Sequence, residues 1–369
     1  MKTQRVIALL GKRDAPTDAV EEYCRYLGRA LQAHELQMEI RRVPWDTRGW
    51  SESLKGLRLQ AQSLPPYTWF LLQYTALAWS AHGFPLQFVR VLKTLRASNV
   101  CVAIVFHDVE PFPGSRLVDR LRRAIQIRTM RRAVTFATRA IFTVPLERIS
   151  WLKSPPSSAH FIPVGPNLPI TDPPVNARPA NEFPTVAVFS ITGGNPGITE
   201  TRAIVAAVRH AAQKIGKLRL SVFGRNADSA QATLRQSLQD LPVEISVEGL
   251  LEESQLVERL SASDVLLFVR GPISSRRSSA IAGIACGLPV IAFSGSETAA
   301  PITDAGIILV SRDNQDELNA ALVRVLSDSA YRSELAARSH RAFAETGTVG
   351  KLRRHWSGTQ HGDADSAWL

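Results

Sequence analysis

Hydrophobic and polar positions along the chain fall into short apolar runs separated by stretches of helical period. The run "RVIALL" (residues 5–10) stops at Gly11. "TDAVEEYCRYLGRALQAH" follows as a helix, with Val20, Cys24, Leu27 and Leu31 on one face and Thr17 or Asp18 as its cap. "MEIRRV" alternates as a strand does. "TWFLLQYT" and "NVCVAIVFHD" read as buried strands around a helix through "LQFVRVLKTLR". In "RLVDRLRRAIQIRTMRR", Leu117, Leu121, Ala124 and Ile125 recur at helical spacing, which predicts an amphipathic basic helix. "AIFTV" and "HFIPVG" are the next strands.

Residues 166–185, "PNLPITDPPVNARPANEFPT", are dense in proline and lack periodicity, as a linker does. The rhythm then restarts with "TVAVFSI", "LRLSVFG", "VEISVEG", "DVLLFVR", "PVIAF" and "GIILVS" as strands, helices between them, and a last helix from Asp313. Strands alternating with helices imply parallel, doubly wound sheets. The expectation is an α/β chain of two Rossmann-like domains: 1–170, a linker at 171–184, 185–345, and a segment at 346–369 that returns to the first domain and ends disordered.

The length of 369 residues suits two domains, each with its own core. The opening apolar run is too short for a signal-peptide core or a membrane span. Cys24, Cys101 and Cys286 are too scattered for a disulfide framework or a metal knuckle. A cytoplasmic protein is expected, at most peripheral on the cytosolic face of a membrane.

Charge sharpens this picture. Residues 1–170 hold 24 Lys+Arg and 12 Asp+Glu, a balance of +12, and the remaining 20 and 21 give −1. Arg116, Arg120, Arg122, Arg123, Arg128, Arg131 and Arg132 face a single acid, Asp119. Such a helix fits a solvated face, an anionic membrane surface or a phosphate-bearing acceptor. Nucleic acid is disfavoured, because no aromatic residues interleave with the arginines to stack on bases.

Five stretches then line up in order with one family. "LLQYTALAWSAHGFP", "VFHD", "FIPVGPNLP", "VEGLLEESQLVERLSASDVLLFV" and "ACGLPVIA" together resemble the retaining GT-B glycosyltransferases of glycosyltransferase family 4. The resemblance implies two domains facing across a cleft, a nucleoside-diphosphate sugar as co-substrate, and no required cofactor or metal. It also implies transfer to a glycan or lipid-linked acceptor with retention. Two departures stand out. The family's pair of glutamates falls here on Ser274 and Ala282, and its diphosphate-gripping Arg and Lys are missing from the loop "SITGGNPGITE".

Candidate site residues follow from both readings. Gly193, Gly194 and Asn195 form a glycine turn whose backbone can approach phosphate. Arg225 closes a strand as a candidate cation. Ser274, Arg276 and Arg277 precede a helix that Ser278 or Ser279 would cap, so the arginines replace the missing loop cations. His107 and Asp108 end a buried strand where ligands of such sheets bind, and the resemblance gives this histidine an orienting role near the donor sugar. Asp108 and Glu110 do not form a D-x-D metal clamp. Acceptor contacts fall to His82 and to Asp18, although Asp18 is also placed to cap a helix. Trp45, Trp50, Trp69 and Trp79 serve either the acceptor groove or the core. An active glycosyltransferase and a non-catalytic relative acting as a binding or partner subunit both remain open.

Overall fold

The computed structural model describes residues 4–32, 34–66, 68–170, 182–312 and 314–346. Residues 171–181 of the expected linker and 347–369 of the expected returning segment lie outside the described residues. The chain divides into two compact units, Met1–Pro163 and residues 164–369.

In the first unit the chain runs β1 (Gln4–Leu10), α1 (Ala19–Gln32), β2 (Leu36–Arg42), α2 (Trp45–Arg48), α3 (Trp50–Gln62), β3 (Trp69–Tyr74), α4 (Leu86–Arg96), β4 (Cys101–Phe106), α5 (Leu117–Phe136), β5 (Arg139–Phe142) and β6 (Ala159–Phe161). The six strands are parallel in the order β2-β1-β3-β4-β5-β6. Helices cover the sheet, so its central strands are apolar on both faces, as "FLLQY" and "VAIVF" require. The core gathers Ile7, Phe70, Leu72, Trp79, Phe88, Ile104, Phe106 and Phe142, with Phe106 stacked on Phe142 at 4.7 Å. Truncating one of these phenylalanines to alanine would cost roughly 3–5 kcal/mol.

Two expectations change here. Residues 50–62 form α3, which sequence reading did not single out, because Ser53 is the only side chain buried besides Leu57 and Ala61. In α5 the stripe Leu117–Leu121–Ala124 faces outward, and Gln126, Thr129, Met130, Ala133 and Val134 face the core. Polar contacts fix this rotation. Buried Asp119 accepts from Arg116 N at 3.2 Å and pairs with Arg122 at 2.7 Å. The Gln126 amide accepts from Phe112 N at 2.8 Å and donates to Gly83 O at 2.9 Å.

The second unit continues with β7 (Thr185–Phe189), α6 (Asn195–Ile215), β8 (Leu218–Phe223), α7 (Ala227–Leu238), β9 (Val243–Glu248), α8 (Glu253–Ser261), β10 (Val265–Phe268), α9 (Ser278–Ala285), β11 (Val290–Phe293), β12 (Ile307–Val310), α10 (Gln315–Ser327) and α11 (Ser329–Thr346). Its parallel sheet has the order β12-β11-β10-β7-β8-β9. One apolar layer centres on Val186, Ile204, Val208, Leu220 and Leu322, another on Leu266, Phe268, Ile284 and Leu288. The helix expected from Asp313 is two helices, broken at Asp328 (φ −103°, ψ 98°).

Each sheet has a switch point, where successive crossovers turn to opposite sides. It lies between β1 and β3 in the first unit and between β7 and β10 in the second. Ligands of such sheets bind there, at the carboxyl ends of the strands.

Candidate functional site

At the second unit's switch point, β7 ends in a tightly specified loop. Ser190 adopts φ 67°, a left-handed conformation unusual for serine. Its N–H donates to Phe223 O at 2.7 Å, and its hydroxyl accepts from Arg225 N at 3.2 Å. The loop is pinned further by Asn226 Nδ2 to Ile191 O at 2.9 Å and by Thr192 N to buried Glu200 at 2.8 Å. Gly194 (φ 69°) is the N-cap of α6, with Pro196 in the first turn and no side chain capping the helix. A Cβ on Gly197 would sit 1.9 Å from Thr192 O, so only glycine lets α6 start this close to the loop. The result is a long helix whose N-terminus opens at the switch point, a geometry suited to an anion. The expected residues Gly193, Gly194, Asn195 and Arg225 therefore meet in one loop cluster.

Arg270, at the end of β10, joins them. It is half-buried, and its Nε has no hydrogen-bond partner. Burial lowers its pKa from the ordinary value, nearby Glu200 opposes that shift and nearby Arg225 adds to it. A guanidinium stays charged at neutral pH all the same. Sequence reading passed over Arg270, although an arginine closing the apolar strand "DVLLFV" was the available signal.

The segment before α9 differs from its expected arrangement. Arg277, not Ser278 or Ser279, occupies the N-cap, and no side chain caps the helix. Ser278 and Ser279 instead fill the first turn. The reason is local: Arg277 N bonds Ser274 O at 3.0 Å in a turn that begins the helix earlier. Arg276 pairs bidentately with Glu297, at 2.6 and 3.0 Å, and fully buried Ser274 donates to the same carboxylate at 3.2 Å. Glu297 lies far along the chain from both, which is why sequence reading missed it. Arg277 Nε donates to Pro272 O at 3.3 Å. α9 packs close to the sheet, since a Cβ on Gly283 would come 2.5 Å from Leu266.

In the first unit, a pocket of about 450 Å³ lies at the switch point, lined among others by Lys12, Asp14, Asp18, Gln73, Thr75 and Asp108. Gly11 lets the exits of β1 and β3 touch, because a Cβ there would be 2.1 Å from Ala78 O. Asp18 caps α1, accepting from Val20 N and Glu21 N at 3.1 Å each, and pairs with Arg42 at 2.7 Å. Arg42 also reaches Glu21 at 2.6 Å and Gly11 O at 3.0 Å. Its hydrogen bond holds the Glu21 carboxyl below the usual carboxylate range, against a smaller opposing effect of burial. Asp108 accepts from Ala76 N at 2.8 Å and so fixes the loop after β3. His107 Nε2 is 2.8 Å from Gln73 Oε1, and Tyr23 meets the ring edge-on at 5.1 Å. Exposed His82 lies outside the pocket lining, with its carbonyl accepting from Arg122. Of the tryptophans, Trp79 is core, and Trp45 and Trp50 stack on each other at 5.1 Å against that core.

Comparison with known proteins adds a family match and a fold. Residues 194–328 match the family model described as Glycosyl transferases group 1. No curated protein matches the sequence. Among solved structures, Anabaena HepE in complex with UDP and glucose is 13% identical over 96% of this chain and 100% of its own, with a TM-score of 0.63. The E. coli trehalose-6-phosphate structure bound with UDP-2-fluoro glucose is 13% identical over 99% of both chains, at 0.63. A putative UDP-N-acetylglucosamine 2-epimerase from Listeria monocytogenes is 12% identical over 98% of both, at 0.61. At such identities the likeness establishes the fold. Residues 194–328 therefore match a glycosyl transferases group 1 family model, and the chain shares the GT-B fold of these structures.

Proposed function

We propose that the protein is a glycosyltransferase: its second unit binds a nucleotide-sugar donor, its first binds a glycan or lipid-linked acceptor, and transfer retains the anomeric configuration. One observation carries this reading. At the second sheet's switch point an uncapped helix N-terminus, a glycine loop, Arg225 and half-buried Arg270 converge, largely within the residues that match the family. A nucleoside diphosphate needs that combination of backbone N–H groups and cations.

In this reading Arg225 and Arg270 grip the diphosphate over the backbone of Gly193, Gly194 and Asn195. Arg277, Ser278 and Ser279 add donors from the start of α9. Arg276 is already neutralised by Glu297 and serves to aim that carboxylate. Ser274 and Glu297 then stand in for the glutamate that the family pattern places at 274, contacting donor-sugar hydroxyls. His107, oriented by Gln73, and Asp108 position the reacting groups from the first unit. The acceptor oxygen bonds to the anomeric carbon as the bond to the diphosphate breaks, and the departing diphosphate takes the acceptor's proton. Asp18 acts through the α1 cap and Arg42, at the edge of the acceptor pocket.

The binding-subunit reading keeps one point in its favour: Ser274 and Ala282 occupy both glutamate positions. A two-step experiment separates the readings. Nucleoside diphosphates, beginning with UDP, should raise the melting temperature, and a donor panel should release nucleoside diphosphate in the presence of saccharide acceptors. Binding without any turnover would favour the partner subunit. Failure of every nucleoside diphosphate to bind would defeat the transferase reading.

A further inference from the structure

We infer that the outward face of α5 docks onto an anionic lipid bilayer. This goes beyond the proposed transfer reaction and does not depend on it. Successive α-helical residues turn by about 100°. Positions 117, 121, 124, 128, 131 and 135 therefore share the face opposite buried Gln126, Met130 and Ala133. The first half of that outer face is apolar and open: Leu117 is 81% exposed and Leu121 58%, with Val118 at 48% beside them. On the inward flank Arg122 stacks on Phe112 at 4.9 Å and on Phe84 at 5.4 Å while donating to His82 O.

Along α5 the exposed charge has one sign. Arg116, Arg120, Arg123, Arg128, Arg131 and Arg132 are all exposed, and the helix's acid, Asp119, is buried and turned inward. Folded monomers seldom leave several large aliphatic side chains open together without an interaction to serve. A second copy of the same face would set arginine against arginine, which charge repulsion opposes. Nucleic acid would call for aromatic platforms where leucines stand. A bilayer with anionic headgroups satisfies both halves: leucines enter the acyl boundary and arginines meet the headgroups. No helix among the described residues is long and apolar enough to cross a membrane, so the contact is peripheral.

The test is co-sedimentation of the full chain with phosphatidylcholine vesicles, with and without phosphatidylserine, at low and high salt. The chain should pellet with anionic vesicles at low salt and keep a smaller bound fraction at high salt. Replacing Arg120, Arg123 and Arg128 by Gln should lower the low-salt partition on the order of a hundredfold, each arginine counting for roughly fivefold. The pair Leu117→Ser and Leu121→Ser should lower binding by at least about tenfold and erase the salt-resistant fraction. All these side chains are exposed, so unchanged unfolding midpoints would certify the variants. Three results would overturn the proposal: equal pelleting with neutral and anionic vesicles, none with either, or a leucine pair that changes only self-association in equilibrium ultracentrifugation.

Discussion

At Arg270 the chain holds a half-buried guanidinium whose Nε makes no hydrogen bond, a cost that a bound anion would remove. Arg270→Ala should therefore weaken nucleoside-diphosphate binding by about 10- to 100-fold in calorimetry, the range for hydrogen bonds to charged groups. The melting temperature of the unliganded protein should hold or rise. A fall in stability with unchanged affinity would make Arg270 a structural residue. Gly197→Ala is a second test at this scale, because its Cβ would collide with Thr192 O. We expect roughly 1–3 kcal/mol of destabilisation in urea unfolding, together with weaker nucleotide binding as the loop is displaced. Much of the local geometry of the candidate site was legible at residue level. The glycine turn, Arg225, and the alternative cap role of Asp18 follow from local rules of turns and strand ends. Glu297 and Glu200 were not legible, because their partners Arg276 and Thr192 are brought to them by tertiary folding. No short-range pattern encodes such a meeting.

Elements show where periodicity suffices and where it misleads. Strands buried on both faces, such as β3, β4 and β10, are plain in the sequence as unbroken apolar runs. The rotation of α5 was not, since its apolar spacing is genuine but points to solvent. Gln126, which bonds to the loops at Phe112 and Gly83, decides which side faces the core. The start of α1 offers a prediction of its own. Arg42 links Asp18 and Glu21 and depresses the Glu21 carboxyl, so Glu21 contributes stability above its ordinary value near 4.5 and loses it as pH falls below. Acid unfolding of Glu21→Gln should therefore have a shallower pH slope in that window than the unaltered chain. Identical slopes would mean that the ion pair adds nothing to folding.

For the whole molecule, the two sheets rest on separate apolar cores, which predicts unfolding in more than one step. A nucleoside diphosphate should protect backbone amides at residues 190–198, 223–227 and 269–279 from hydrogen exchange and leave the strands of the first unit unchanged. Protection confined to the first unit would misplace the donor. Two-unit architecture was readable from the restarted strand–helix rhythm, whereas strand order and switch points come from pairing between distant segments. The Ser274–Glu297 contact, finally, ties two places in the gene together. In the proposed reading, the carboxylate that a glutamate at 274 would carry arrives from 23 residues downstream. Ancestry should move the two positions as a pair. Regaining glutamate at 274 while keeping Glu297 would crowd two like charges around one Arg276. Ser274→Glu combined with Glu297→Ser is the swap a lineage would tolerate, and either half alone is the intermediate it would avoid.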